Sequence, residues 1–242
     1  MEYELVDRVA HLRMDDGTAN VLNRASCDEL RRGIARAADD RAGALVLWGR
    51  PGIFSGGIDL TVLRDQDVAR RQITLTHISH TLLALWTAPI PTVAVVTGHA
   101  IAGGAILAMA CDVRVGAAGE FKIGTNETSL KMRLPLWAST IIGAATKPEC
   151  ATEVMVLGRL YDPDDAVRVG ILHESAPADG LDVVADTIAA ELAALPTRAY
   201  AANKDRLRGD RALAAAALVR REMNSAFMGS PASLSRVPAT GT

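Results

Sequence analysis

The sequence predicts an α/β fold, and three observations predict it. The short all-apolar run at residues 44–48, and a second run at 92–97 bounded by threonines, have the composition of strands buried on both faces. Each leads into a glycine-bearing turn and then into a helical pattern. From Pro148 onward the chain is Ala-rich and helical in spacing. An α/β core carrying a helical C-terminal region is the expected organisation, and no internal repeat is visible.

The elements follow in order. Residues 9–14 read as a strand. Ser26-Cys27-Asp28-Glu29 has the capping-box pattern and opens a helix to about Asp39. After the 44–48 strand, a polar helix spans residues 65–86 and is stopped by Pro89 and Pro91. The 92–97 strand is followed by a glycine-opened helix over 103–110, and short strands are expected at 113–115 and 121–123. Pro148 suits the start of a helix that Gly158 ends. Asp162 caps the next, which closes at Gly170, and the last long helices cover 181–195 and 211–227. The tail from Ser230 is rich in Pro, Ser and Gly and is expected to be loose.

Composition excludes several classes of function. With 26 basic and 28 acidic residues and a net charge of -2, the chain has no excess of positive charge for nucleic acid or an anionic membrane. No apolar run is long enough to span a bilayer, and the acidic start, Met1-Glu2-Tyr3-Glu4, has no apolar signal core. Cys27, Cys111 and Cys150 are far apart and odd in number, which fits reduced thiols in a cytoplasmic protein. His77 and His80 are close but have no third ligand, so no metal is expected.

Chemistry points to three places. The first turn is Phe54-Ser55-Gly56-Gly57-Ile58-Asp59-Leu60, and the second runs from Gly98 to Gly103-Gly104. Glycines there let the backbone turn sharply and let a ligand approach the amides, one pair of which sits beside a helix N-terminus. Two converging amides would form an oxyanion hole; the same glycines would also serve a tight turn with no ligand at all. The third is Ile123-Gly124-Thr125-Asn126-Glu127-Thr128, a carboxylate directly after a strand and followed by apolar residues. Glu127 there is either a surface cap or a carboxylate disfavoured as an anion and suited to act as a base.

The two turns, the Cys111-Asp112 pair, the Ile-Gly-x-Asn-Glu-Thr stretch and Asn20-Val21-Leu22-Asn23 together resemble the crotonase superfamily (enoyl-CoA hydratase/isomerase). The resemblance runs from about Tyr3 to Ala176 and fades in the C-terminal helices. It implies a spiral of ββα units over residues 1–190, with a helical trimerisation region and loose tail over 191–242. It also implies an acyl-CoA thioester substrate, no separate cofactor, and a homotrimer or hexamer. By resemblance the oxyanion hole uses the backbone amides of Ile58 and Gly103. Ser55, Gly56, Gly57, Asp59, Gly104, Ile106 and Asn126 would line the CoA ester, with Asp59 capping the following helix. Arg24, Arg64 and Lys204 are candidates for the CoA phosphates.

Hydratases of this family use two glutamates. One falls at Ile106 here and the other at Glu127. An isoleucine cannot hold water or move a proton, so the resemblance favours an enoyl-CoA isomerase of the fatty-acid β-oxidation type, which needs a single base. The motifs, with Pro135-x-Trp137 beyond, look closest to the mitochondrial-type Δ3,Δ2-enoyl-CoA isomerases. A hydratase, and a CoA-ester-binding protein that has lost activity, are the alternatives. The stretch departs from the isomerase pattern at Lys131, where Gly is usual. If residues 127–131 were helical, Lys131 would lie one turn from Glu127 and could pair with it, but a solvated Lys131 pointing outward is the expected arrangement.

Overall fold

The computed structural model describes residues 1–223. Its strands are β1 (Glu2–Val6), β2 (Val9–Arg13), β3 (Ala44–Trp48), β4 (Gly52–Ser55), β5 (Thr92–Val96), β6 (Gly98–Ile101), β7 (Val113–Ala117), β8 (Ile123–Gly124) and β9 (Glu174–Ala176). Its helices are α1 (Arg24–Asp39), α2 (Leu60–Leu63), α3 (Val68–Trp86), α4 (Gly103–Met109), α5 (Leu136–Ala145), α6 (Ala151–Met155), α7 (Pro163–Val169), α8 (Leu181–Ala193) and α9 (Thr197–Glu222).

A six-stranded sheet runs β1-β2-β3-β5-β7-β9, parallel except for the β1–β2 hairpin, and a parallel three-stranded sheet runs β4-β6-β8. Strands β3, β5 and β7 each enter the large sheet, and the strand after each enters the small one. The chain then returns through a helix, so the repeating unit is ββα. The period of two explains why β3 is apolar throughout. Ala44, Val46 and Trp48 face α8 with Val93, Val95 and Leu181, while Leu45 and Leu47 face the main helical core.

Several boundaries differ from the sequence expectation. The capping box of α1 lies three residues earlier: Asn23 is the N-cap, its Oδ1 accepts from Ser26 N and Ser26 Oγ accepts from Asn23 N. Glu29 instead accepts from the Met1 amine at 2.7 Å. The 65–86 helix begins later, at Val68 as α3 capped by Asp67, and the short α2 is a separate element before it. The 121–123 strand shrinks to β8, and the helix expected between Pro148 and Gly158 is a 3-10 turn followed by α6, which ends at Met155. The second half is not all helical, because β9 extends the large sheet beside β7. The helix expected from Arg211 begins at Thr197. Phe227 and the tail from Ser230 lie outside the described residues.

Helix α9 packs on α3 and α5 and is locked by charge. Lys204 Nζ and Arg208 Nη1 each reach an oxygen of Asp112 at 2.7 Å, and Thr92 donates to the same carboxylate through its N–H and hydroxyl at 2.8 Å. Burial pushes the Asp112 pKa up, but Lys204, Arg208 and the hydrogen bonds outweigh it and hold the carboxyl below its ordinary value. This corrects the reading of Lys204 as a phosphate ligand. Its amine is buried and committed to Asp112.

Candidate active site

The two glycine turns meet backbone to backbone. A Cβ on Gly104 would stand 2.1 Å from Ser55 O, and one on Gly57 would stand 2.7 Å from Ile101 O. Gly57 also has φ +88°, which L side chains disfavour. Ser55, fully buried, donates to Asn20 O at 2.7 Å and accepts from Gly57 N at 3.1 Å, which fixes the first turn. What reads as one long glycine loop from Gly98 to Gly104 is strand β6, a single turn residue, Ala102, and the start of α4.

That geometry leaves two amides unspent. Leu22 N donates to Gly57 O and Asp59 N donates to Leu22 O, so Ile58 N, between them, has no backbone acceptor among the described residues. Gly103 opens α4, where a first-turn amide has no intrahelical partner. Ala102 precedes it at φ +52°, held by its own N–H on Gly124 O at 2.8 Å. A non-glycine residue in this region is strained, and such strain collects at functional sites. The added Cβ of Gly103 would lie 3.3 Å from Ile58 N, so the two amides are neighbours.

Glu127 stands at the start of a turn that follows β8. Thr125 Oγ1 anchors the approach by donating to Val154 O at 2.7 Å. The turn closes with Met132 N on Glu127 O and Lys131 N on Thr128 O, a Schellman pattern, and Lys131 occupies its left-handed position at φ +59°. That position explains why glycine is usual there. The segment is a turn rather than a helix, and Lys131 points out, exposed, with no ion pair to Glu127 among the described residues. The solvated, outward arrangement of Lys131 is therefore the one the structure shows. Glu127 is 7% exposed and its Oε2 has no hydrogen-bond partner. Burial raises its pKa to about 7, against a smaller opposing pull from its own backbone N–H.

Ile58, Gly103, Ile106 and Glu127 line one small cavity. Its remaining wall is mainly apolar: Leu75 from α3, Met132 and Leu134, Trp137 from α5, and Met223 just past α9. The end of α9 is latched there by Glu222, whose Oε2 accepts from Leu136 N at 3.0 Å, and by Gln72, which donates to Arg220 O. Ser55, Gly56, Gly57 and Gly104 are absent from the lining and act as the scaffold behind it. Asn126 is half-buried, outside the lining, and its Oδ1 is unpartnered. Asp59 caps α2 by accepting from Thr61 N at 2.8 Å, as expected. Arg24 lines an open cleft with Asp59 and Thr61, whereas Arg64 is exposed at the end of α2. Sequence reasoning missed Leu75, Ser79 and Met223, which distant helices bring in and no local motif marks.

The arrangement can bind a polarised carbonyl at two amides and expose the carbon beside it to one buried base. The sequence model of the family described as "Enoyl-CoA hydratase/isomerase" matches residues 4–233. The human protein named enoyl-CoA delta isomerase 1, mitochondrial, is 27% identical over 203 residues, covering 83% of this chain and 67% of that one. A putative enoyl-CoA hydratase of Thermus thermophilus is 34% identical over 162 residues, 64% of this chain and 62% of its own length. The apo structure of a Mycobacterium tuberculosis enoyl-CoA isomerase superposes with a TM-score of 0.84 at 33% identity, covering 92% of this chain and 96% of that one.

Proposed function

Because the chain belongs to the enoyl-CoA hydratase/isomerase family, we propose that it is an isomerase that moves the C3 double bond of an acyl-CoA to C2. In this reading the thioester oxygen accepts from the amides of Ile58 and Gly103, which acidifies the proton on C2. Glu127 takes that proton, the negative charge spreads into the enolate, and the protonated carboxyl returns its proton at C4. The double bond then lies between C2 and C3, and no atom is gained or lost. A pKa of about 7 suits a group that must accept and then release a proton near neutrality.

The observation that carries the choice of isomerase is Ile106. It lies on the wall of the Glu127 cavity, 2% exposed, at the position of the second hydratase glutamate. An apolar wall excludes the water that hydration needs. The protein is expected to convert 3-enoyl-CoA to 2-enoyl-CoA with little further hydration. Ile106→Glu should raise hydration and lower isomerisation, with folding checked by circular dichroism because the change buries a second carboxylate. Equal rates of hydration and isomerisation by the unaltered protein would refute the single-carboxylate assignment.

A homotrimer, singly or as a pair, completes the proposal. Light scattering at micromolar concentration is expected to give a multiple of three chains, and a stable monomer would count against it.

A further inference from the structure

The mechanism above uses two amides and one carboxylate, and leaves unused the Ser79, Arg133 and Trp137 side chains that also line the cavity. Trp137, the second residue of α5, is 3% exposed and forms part of the wall. Its Nε1–H is buried and has no acceptor among the described residues. Trp48, by contrast, donates to His11 Nδ1 at 3.1 Å. An indole N–H is a donor only, and leaving it unmade while buried is costly. Its neighbours on the wall are poor partners. Ile106 and Leu134 are apolar, Arg133 carries donors only, and neither Ser79 Oγ, which itself donates to Leu75 O at 2.7 Å, nor Glu127 Oε2 accepts from the indole.

We infer that Trp137 is a specificity-determining residue whose Nε1–H, on the same cavity wall as Glu127, selects acyl thioesters bearing an oxo or hydroxyl oxygen on the acyl chain over plain hydrocarbon chains. The inference rests on the thioester reading of the site. A hydrocarbon chain entering the cavity displaces solvent and leaves the donor unmatched, whereas an oxygen accepts from it. A site with a buried hydrogen-bonding group discriminates sharply against a ligand that lacks the counterpart.

The test is calorimetric binding of hexanoyl-CoA and of its analogues with an oxo group at C3, C4 or C5. At least one analogue is expected to bind the unaltered protein about tenfold more tightly than hexanoyl-CoA. Trp137→Phe should erase that advantage, read as the ratio of the two affinities, and Trp137→His, which keeps a ring N–H, should retain part of it. No preferred analogue in the unaltered protein, or equal weakening of all esters by Trp137→Phe, overturns the inference. So does an unchanged preference accompanied by a shifted pH profile of turnover, which would assign the donor to Glu127. Isomerisation without any preference sinks this inference alone, whereas no binding by any ester sinks the thioester reading with it.

Discussion

Glu127→Gln is expected to lower turnover of 3-enoyl-CoA by about a hundredfold or more while making the folded protein more stable above neutral pH. The two effects share a cause. Burial lifts the Glu127 pKa from an ordinary 4.5 to about 7, so the folded protein holds a proton that the unfolded chain has released between those values. Stability therefore falls as pH rises from about 4.5 to about 7 and is level beyond. At pH 8 the accumulated loss is about 3 kcal/mol, and glutamine, which keeps the shape without the charge, should recover much of it. Turnover by the unaltered protein should instead climb around the folded-state pKa, over roughly pH 6 to 8, with its half-point near 7. Urea unfolding at pH 5 and pH 8, paired with initial rates, checks both. Retention of more than about a third of the rate would remove Glu127 from the role of base.

The second large effect is structural. Asp112→Ala strips the partner from Lys204, whose side chain is 5% exposed, and from Arg208, and it leaves Thr92 without its acceptor. Breaking a buried ion pair from one side costs about 3–5 kcal/mol, because the remaining charge stays buried without compensation. Denaturant unfolding should register that loss. A change below about 1 kcal/mol would mean the carboxylate contributes only as an exposed pair does.

Local composition explains which parts of the fold are legible in the sequence. Strands β3 and β5 are, because burial on both faces leaves apolar residues throughout, Thr92 at the start of β5 excepted. Strands β4 and β6 are not: each is four residues with a glycine and abuts a turn, so each reads as part of that turn. Strand β1 pairs only with β2 and is mostly exposed, and its polar sequence carries no apolar run. The first half of α9 is polar and broken in pattern by Gly209, so only its Ala-rich end reads as helix. The cap of α1 is displaced because Asn23 and Ser26 are both competent N-caps, and tertiary placement decides between them. At the site, Glu127, Ile58, Gly103 and Ile106 are marked by motifs and do converge. The role of Lys204 is illegible locally, since its partner lies 92 positions away.

The latch between Glu222 and the start of α5 places the finishing piece of the cavity at the end of α9. Translation runs from the N-terminus, so both glycine turns and Glu127 leave the ribosome before Met223 has been made. Until α9 docks, Met223 is missing from the wall around Glu127, and the burial that lifts this carboxyl's pKa is incomplete. A half-made chain thus carries every proposed reacting group before the wall around them is finished.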